Sequence, residues 1–225
     1  MATILGLSGS LRRGSFNTAL LRAARDIAPA GTVIEIASIR GIPLYDGDVE
    51  AEHGLPEPVR ALKERIVATD GLLLVTPEYN NSIPGVLKNA VDWLSRPPAD
   101  IGRVFGGRPV AILGATPMRS ATVLSQAAWL PVLRTLGTLP WFGARVQVGE
   151  ANKVFDEDGR IVDERVQREL TRFVAGFASF VDAITSARPR RPSAEAQRPD
   201  ARTSAMEAAE LGGGVTQSDI RLARH

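Results

Sequence analysis

The sequence contains no cysteine. That excludes disulfides, thiol nucleophiles, iron–sulfur clusters and thiolate zinc sites together. Histidine is almost as scarce: His53 lies in a Glu/Gly/Pro-rich stretch and His225 is the last residue. A protein-held transition metal is not expected, nor is a Ser–His–Asp triad, for which only His53 could serve. No apolar run is long enough to span a bilayer. Met1 to Gly6 reads as a strand rather than a secretory signal, because no basic segment precedes an apolar core. A cytoplasmic protein with no membrane contact is expected. Neither sign of charge dominates. The formal net charge is +2, and the excess sits after Ala187, where seven arginines face five acids. Nucleic acid, which wants a concentrated basic face, is not an expected partner. With side-chain chemistry so depleted, any hard chemistry belongs to a cofactor.

What is present suits one ordinary α/β domain with room for an extra segment. The chain has 225 residues, 44% of them hydrophobic and 23% charged. Thr3 to Leu7 is a short apolar run ending at a turn, and Asn17 to Ile27 carries a helical stripe at Leu20, Leu21, Ala24 and Ile27. Val33 to Ala37 alternates as a second strand, and Ser38 to Pro58 has no clear period and reads as a loop. A helical pattern follows over Val59 to Ala68. Gly71 to Val75 (GLLLV) is the near-continuous apolar run of a central parallel strand. Ile83 to Ser95 reads as a helix and Val110 to Leu113 as the fourth strand. Ala121 to Leu136 is helical with Pro131 as a kink or break. Trp141 to Val148 reads as the fifth strand, Glu157 to Gly159 as a turn and Val162 to Ile184 as the last amphipathic helix. The alternation predicts a three-layer α/β/α sandwich around a five-stranded parallel sheet in the flavodoxin-like order 2-1-3-4-5. Residues 1–187 form the expected domain. Residues 188–225 are rich in Pro, Arg, Ala and Gly and read as a disordered tail with a short helix over Ser204 to Leu211.

Gly6 to Ala24 (GLSGSLRRGSFNTALLRAA) crosses a polar turn between the first strand and its helix. Gly9 and Gly14 have P-loop spacing, but Ser15 follows where the phosphate-reaching lysine is needed. The glycines do not match the dinucleotide fingerprint. Gly6-Leu7-Ser8-Gly9-Ser10 approaches a nucleophile elbow, but its last position is Ser and no competent histidine exists. What remains is Ser10, Arg12, Ser15 and Asn17 before a helix N-terminus. That suits one terminal phosphate monoester, the kind FMN carries. The competing reading is a polar turn with an N-cap serine.

The second stretch is Val75 to Pro97, VTPEYNNSIPGVLKNAVDWLSRP. It leaves the carboxyl end of the third strand, where open parallel sheets hold their ligands. Pro77 and Tyr79-Asn80-Asn81 would set backbone amides and one aromatic beside a flat heterocycle. Taken in order, Gly9-Ser10-Leu11-Arg12 with Ser15 and Asn17, then Pro77-Glu78-Tyr79-Asn80, Ser82, Pro84-Gly85, Leu87-Lys88-Asn89-Ala90, Asp92-Trp93 and Ser95-Arg96, resemble the NADPH-dependent FMN reductase family. Azoreductase-, quinone reductase- and chromate reductase-like members belong to it. The resemblance covers about residues 1 to 185.

It implies that Ser10, Arg12, Ser15 and Asn17 bind the FMN phosphate, with Phe16 near the ribityl–phosphate end. Pro77, Glu78, Tyr79 and Asn80 would line the flavin. Glu78 would orient its loop or pair across a subunit boundary rather than act as a general acid. Lys88 and Trp93 read as packing residues, Trp93 in the core or at a subunit interface. After the fourth strand the family has a glycine-containing loop against the flavin. Here Gly114 to Ser120 reads GATPMRS, with Pro117 and Arg119 replacing more permissive residues. Arg119 would lie over the flavin edge, meet the NADPH 2′-phosphate, or simply be solvated. The implied activity passes hydride from NADPH (or NADH) to FMN, then electrons to a small-molecule acceptor in a ping-pong scheme. Quinones, azo dyes, nitroaromatics, metal oxyanions and free flavin are the acceptors in view. A non-enzymatic flavodoxin-like electron carrier is the alternative, disfavoured by balanced charge. The resemblance also implies a homodimer or homotetramer. The apolar helix with Val86, Val91, Trp93 and Leu94 is a candidate contact surface, though core burial explains most of it.

Overall fold

Six strands and eight α-helices build the described part of the chain, residues 1–187, in a computed structural model. In chain order they are β1 (Ala2–Ser8), α1 (Phe16–Asp26), β2 (Thr32–Ala37), α2 (Gly47–His53), α3 (Glu57–Val67), β3 (Gly71–Val75) and α4 (Gly85–Leu94). A 3-10 turn at Pro98–Asp100 leads into α5 (Ile101–Val104), β4 (Pro109–Ala115) and α6 (Val123–Thr135). The chain then passes through β5 (Leu139–Pro140), β6 (Gln147–Val148), α7 (Ala151–Val154) and α8 (Glu164–Ala187). The strand order is β2-β1-β3-β4-β5, all parallel, with β6 pairing β4 beyond β5. This is the flavodoxin-like order read from the sequence.

Successive side chains of a strand face opposite layers, and the two cores divide accordingly. Ile4, Leu73, Val75, Ala111 and Leu113 pack with α1 and α8 on one side. Leu5, Leu7, Leu72, Leu74 and Val110 pack with α3, α4 and α6 on the other. Burial on both faces explains why β3 reads as GLLLV with no polar alternation.

Three local expectations are corrected. The loop over 38–58 contains α2, capped by the Asp46 carboxylate, which accepts from Asp48 N at 2.9 Å. No residue of α2 is buried, so no apolar stripe announced it. Pro131 does not break α6, because Trp129 and Leu133 anchor the helix in the core on either side of it. The fifth strand is split into β5 and β6. Between them the chain bends away so that the Trp141 ring meets Phe173 edge-on, 5.0 Å between centroids. On α4, core burial accounts for most of the candidate contact surface, as read from the sequence: Val91, Trp93 and Leu94 are buried and Val86 is exposed. The helix expected over 204–211, like the rest of the tail, lies outside the described residues.

Candidate functional site

The loops after β1, β3 and β4 leave the carboxyl ends of three adjacent strands, the position where open parallel sheets form a binding crevice. They enclose a cleft of about 350 Å³. Its walls carry Ser10, Arg12, Ser15, Phe16 and Asn17 from the first loop, Pro77, Glu78 and Tyr79 from the second, and Ala115 to Met118 from the third. Eight residues chosen from two separate stretches of sequence thus meet on one cavity. Asn80, Gly114 and Arg119 do not line it.

The first loop is an anion-binding corner. Ser15 is the N-cap of α1, and its hydroxyl oxygen accepts from Thr18 N at 3.2 Å. The backbone N–H groups of Phe16 and Asn17 have no partner among the described residues, so they and the positive end of the helix dipole remain for a ligand. The Arg12 guanidinium has two contacts: its Nη2 donates to Gly14 O at 2.8 Å, and its Cζ lies 5.8 Å from the Phe16 ring centroid. Phe16 in turn stacks on Phe155 at 5.6 Å, a support that local sequence did not reveal. No carboxylate lies in this loop. A phosphate monoester fits this set of hydroxyls, amides and one cation.

Gly9 lets the first two loops meet. A Cβ there would fall 2.9 Å from Pro77 Cδ and 2.9 Å from Leu87 Cδ2. Asn17 ties the first loop to the third. Its Nδ2 donates to Ala115 O at 2.8 Å and its Oδ1 accepts from Ala115 N at 2.9 Å. The side chain expected on a phosphate is therefore spent on the end of β4, and Asn17 offers a ligand its backbone N–H.

Glu78 reaches away from the cleft to the start of α6. One carboxylate oxygen accepts from Leu124 N at 2.9 Å and from Ser125 N at 3.0 Å. It caps the helix and fixes the loop, the orienting role among those open to it. Behind it, the Thr76 and Ser125 hydroxyls lie 2.8 Å apart and each 2.9 Å from Pro77 O, so one donates to that carbonyl and the other to it or to its neighbour, and Trp129 Nε1 donates to Thr76 Oγ1 at 3.1 Å. Tyr79 and Ser82 exchange two backbone hydrogen bonds, 3.1 and 3.0 Å, around Asn80 and Asn81 at φ 50° and 61°. Asn80 is thus a turn residue. The left-handed Asn-Asn pair makes the tight hairpin that leaves Tyr79 on the cleft wall.

Gly114 lies inside β4. A Cβ there would sit 2.1 Å from Thr76 O, so the glycine permits close strand packing rather than a ligand contact. Arg119 is 88% exposed just past the cleft. Thr116 and Met118 were not singled out in the sequence, although their place directly after a central strand was a usable signal. Farther along, Trp93 is buried and donates to Pro43 O at 2.9 Å. Asn89 clamps the same segment, donating to Pro43 O and accepting from Tyr45 N. Lys88 pairs with Asp92 at 2.7 Å. Among the described residues, no group of three His, Asp or Glu side chains is placed to hold a metal, and no helix is long and apolar enough to cross a membrane.

Comparison with known proteins bears on this geometry. Residues 2–153 match the family model described as NADPH-dependent FMN reductase. An NAD(P)H-dependent FMN reductase of Pseudomonas aeruginosa is 47% identical over 167 residues, 74% of this chain and 88% of that protein. A 2-hydroxy-1,4-benzoquinone reductase of a Burkholderia species is 39% identical over 77% of this chain and 92% of its own. Among solved structures, the flavoenzyme NAD(P)H:(acceptor) oxidoreductase FerB of Paracoccus denitrificans superposes with a TM-score of 0.73. It is 31% identical, over 81% of this chain and 98% of that one.

Proposed function

The chain belongs to the NADPH-dependent FMN reductase family, and from that premise we propose that it is an FMN-dependent NAD(P)H oxidoreductase whose acceptor is a quinone. The observation that carries the site assignment is the cleft itself, which gathers an anion corner and two flat walls from three loops. Ser10, Arg12, Ser15 and the N–H groups of Phe16 and Asn17 hold the FMN phosphate. Pro77 to Tyr79 and Ala115 to Met118 flank the ring. FMN bound there would supply the two-electron chemistry between a nicotinamide donor and the acceptor. The protein's part is to hold the reactants in register and keep the walls rigid. We assign Glu78 the orienting role, because one of its carboxylate oxygens accepts from two N–H groups of α6.

A quinone is favoured over azo, nitro, metal-oxyanion and free-flavin acceptors by the benzoquinone reductase among the relatives. Family membership displaces the electron-carrier alternative. We assign the catalytic unit to residues 1–187 and expect deletion of 188–225 to leave FMN content and turnover unchanged. A homo-oligomer is proposed on the resemblance, with the exposed apolar residues Val123, Leu124, Leu130 and Phe142 replacing α4 as its contact face.

The test is an anaerobic absorbance spectrum of the purified protein with FMN, before and after NADPH, followed by addition of a benzoquinone. Bound flavin that bleaches with NADPH and recovers its colour with quinone is the expected result. Bound flavin that stays oxidised with NADPH would return the carrier reading. Failure to bind FMN would overturn the site.

A further inference from the structure

The third loop of the cleft carries a cation that the flavin site does not use. Thr116, Pro117 and Met118 line the cleft, and Arg119 follows at its rim. The loop's backbone is fixed at several points. Thr116 N donates to Val148 O at 2.9 Å, Ala151 N to Thr116 O at 3.0 Å and Glu150 N to Met118 O at 3.2 Å. The side chain is not fixed. Its one polar contact among the described residues is Nε to Glu150 Oε1 at 3.5 Å, too long for a strong charge-assisted hydrogen bond. That same oxygen is engaged by Lys153 Nζ at 2.7 Å. The Lys153 hydrogen bond and charge, with a smaller contribution from Arg119, hold the Glu150 carboxyl below its ordinary range, so Glu150 stays ionised at neutral pH with Lys153 as its main partner. Arg119 therefore stands on a rigid backbone with both terminal amino groups open. Two cations face one carboxylate at this rim.

Arg119 differs from Arg12 in its place at the site. The two loops leave β1 and β4, on either side of β3, and meet at the Asn17–Ala115 tie. Arg12 lines the cleft, whereas Arg119 follows the last residue of the third loop that does. The second cation calls for a second anion, carried by a molecule that enters the cleft from its open side. The two hydride donors in view differ by one group of this kind, the 2′-phosphate of NADPH.

Resting on the assignment of the cleft to FMN and a nicotinamide donor, we propose that Arg119 is a specificity residue that binds the 2′-phosphate of NADPH, and that Lys153 keeps it available by occupying Glu150. Arginine suits the task because its planar fork meets phosphate oxygens in pairs. The balance of Lys153 and Arg119 around Glu150 then sets the preference for NADPH over NADH.

The experiment uses the full-length FMN-loaded protein, with adenosine 2′,5′-bisphosphate and AMP as calorimetric probes and kcat/KM for NADPH and NADH as the kinetic readout. Arg119→Ala should weaken the bisphosphate about 10-fold and lower kcat/KM for NADPH by a similar factor, roughly what one exposed charge-assisted contact contributes. AMP affinity should not move. Arg119→Lys should recover part of the loss. Lys153→Ala should free Glu150 to pair with Arg119 and narrow the NADPH preference without touching the loop. Equal losses for the two probes, or no loss for either, would overturn the proposal. Flavin content, read from the spectrum of each variant, separates this from the functional assignment. Wild-type protein that holds no FMN brings down that assignment, whereas flavin-loaded Arg119→Ala with undiminished bisphosphate affinity brings down only this inference.

Discussion

The loops after β3 and β4 face each other across the same cleft, yet they are built in opposite ways. The first is fixed at its root by side chains and closed at its tip by a short main-chain hairpin. Glu78 caps α6, Thr76 and Ser125 bind Pro77 O, and the Tyr79–Ser82 hairpin closes on itself. The second is fixed by its backbone, while Pro117, Met118, Arg119 and Ser120 are all exposed. A loop whose side chains are used internally cannot vary without moving. A loop held by main-chain hydrogen bonds can change every side chain and keep its course. The first construction suits a wall for a permanently bound cofactor. The second suits a surface that selects among co-substrates and acceptors, and here it carries the departure from the family pattern.

The most damaging way to break the second loop is at its root. Gly114→Ala would press a methyl group against Thr76 O, a backbone atom that cannot turn aside. The expected cost is more than about 3 kcal/mol, read as loss of soluble protein or a collapse in Tm. Next comes the tie between the first and third loops. Asn17→Ala leaves the N–H and C=O of Ala115 without their partners in a buried position. At about 1–3 kcal/mol for each orphaned group, a loss of about 2–6 kcal/mol is expected. For a domain of this size that lowers Tm by roughly 10 °C. Flavin affinity should fall with it, because the anion corner and the third loop lose their common anchor.

Glu78 tests the side-chain construction with a smaller effect. Glu78→Ala removes a cap from α6, expected to cost about 1 kcal/mol, and releases the loop that bears Tyr79. We expect Tm to drop by about 3 °C and the FMN dissociation constant to rise more steeply than that change in stability alone would give. Glu78→Gln keeps an acceptor oxygen and should restore most of both. If the alanine variant lost stability but bound FMN unchanged, the claim that this loop is built for the cofactor would fail.

How far these constructions could be read in advance follows from how local their causes are. The sheet order came from apolar runs such as GLLLV, whose meaning depends only on burial of both faces. The cleft residues came from two polar stretches placed after predicted strands. The turn at Asn80 also had a local signal: two adjacent asparagines favour the left-handed conformation they adopt. The double bond of Asn17 to Ala115 was not legible at all, because its partner is 98 positions away. Nor was the split of the fifth strand, which depends on Trp141 finding Phe173 in α8. α2 escaped because it buries nothing, and helices are recognised by what they bury.

The smallest expected effect sharpens the comparison from outside the cleft. The motif that begins at Pro77 continues through Lys88, Asn89 and Trp93, and all three could be taken for site residues on resemblance alone. In the structure, Asn89 and Trp93 bind the chain at Pro43, and Lys88 forms an ion pair with Asp92 one helical turn on. Both members of that pair are about 40% exposed, so solvent screens most of the attraction. Lys88→Ala should change stability by no more than about 0.5 kcal/mol and leave flavin binding and NADPH turnover as they were. A loss of flavin in that variant would mean that the functional wall extends past the hairpin into α4, and that the division between a side-chain-built wall and a backbone-built rim is drawn in the wrong place.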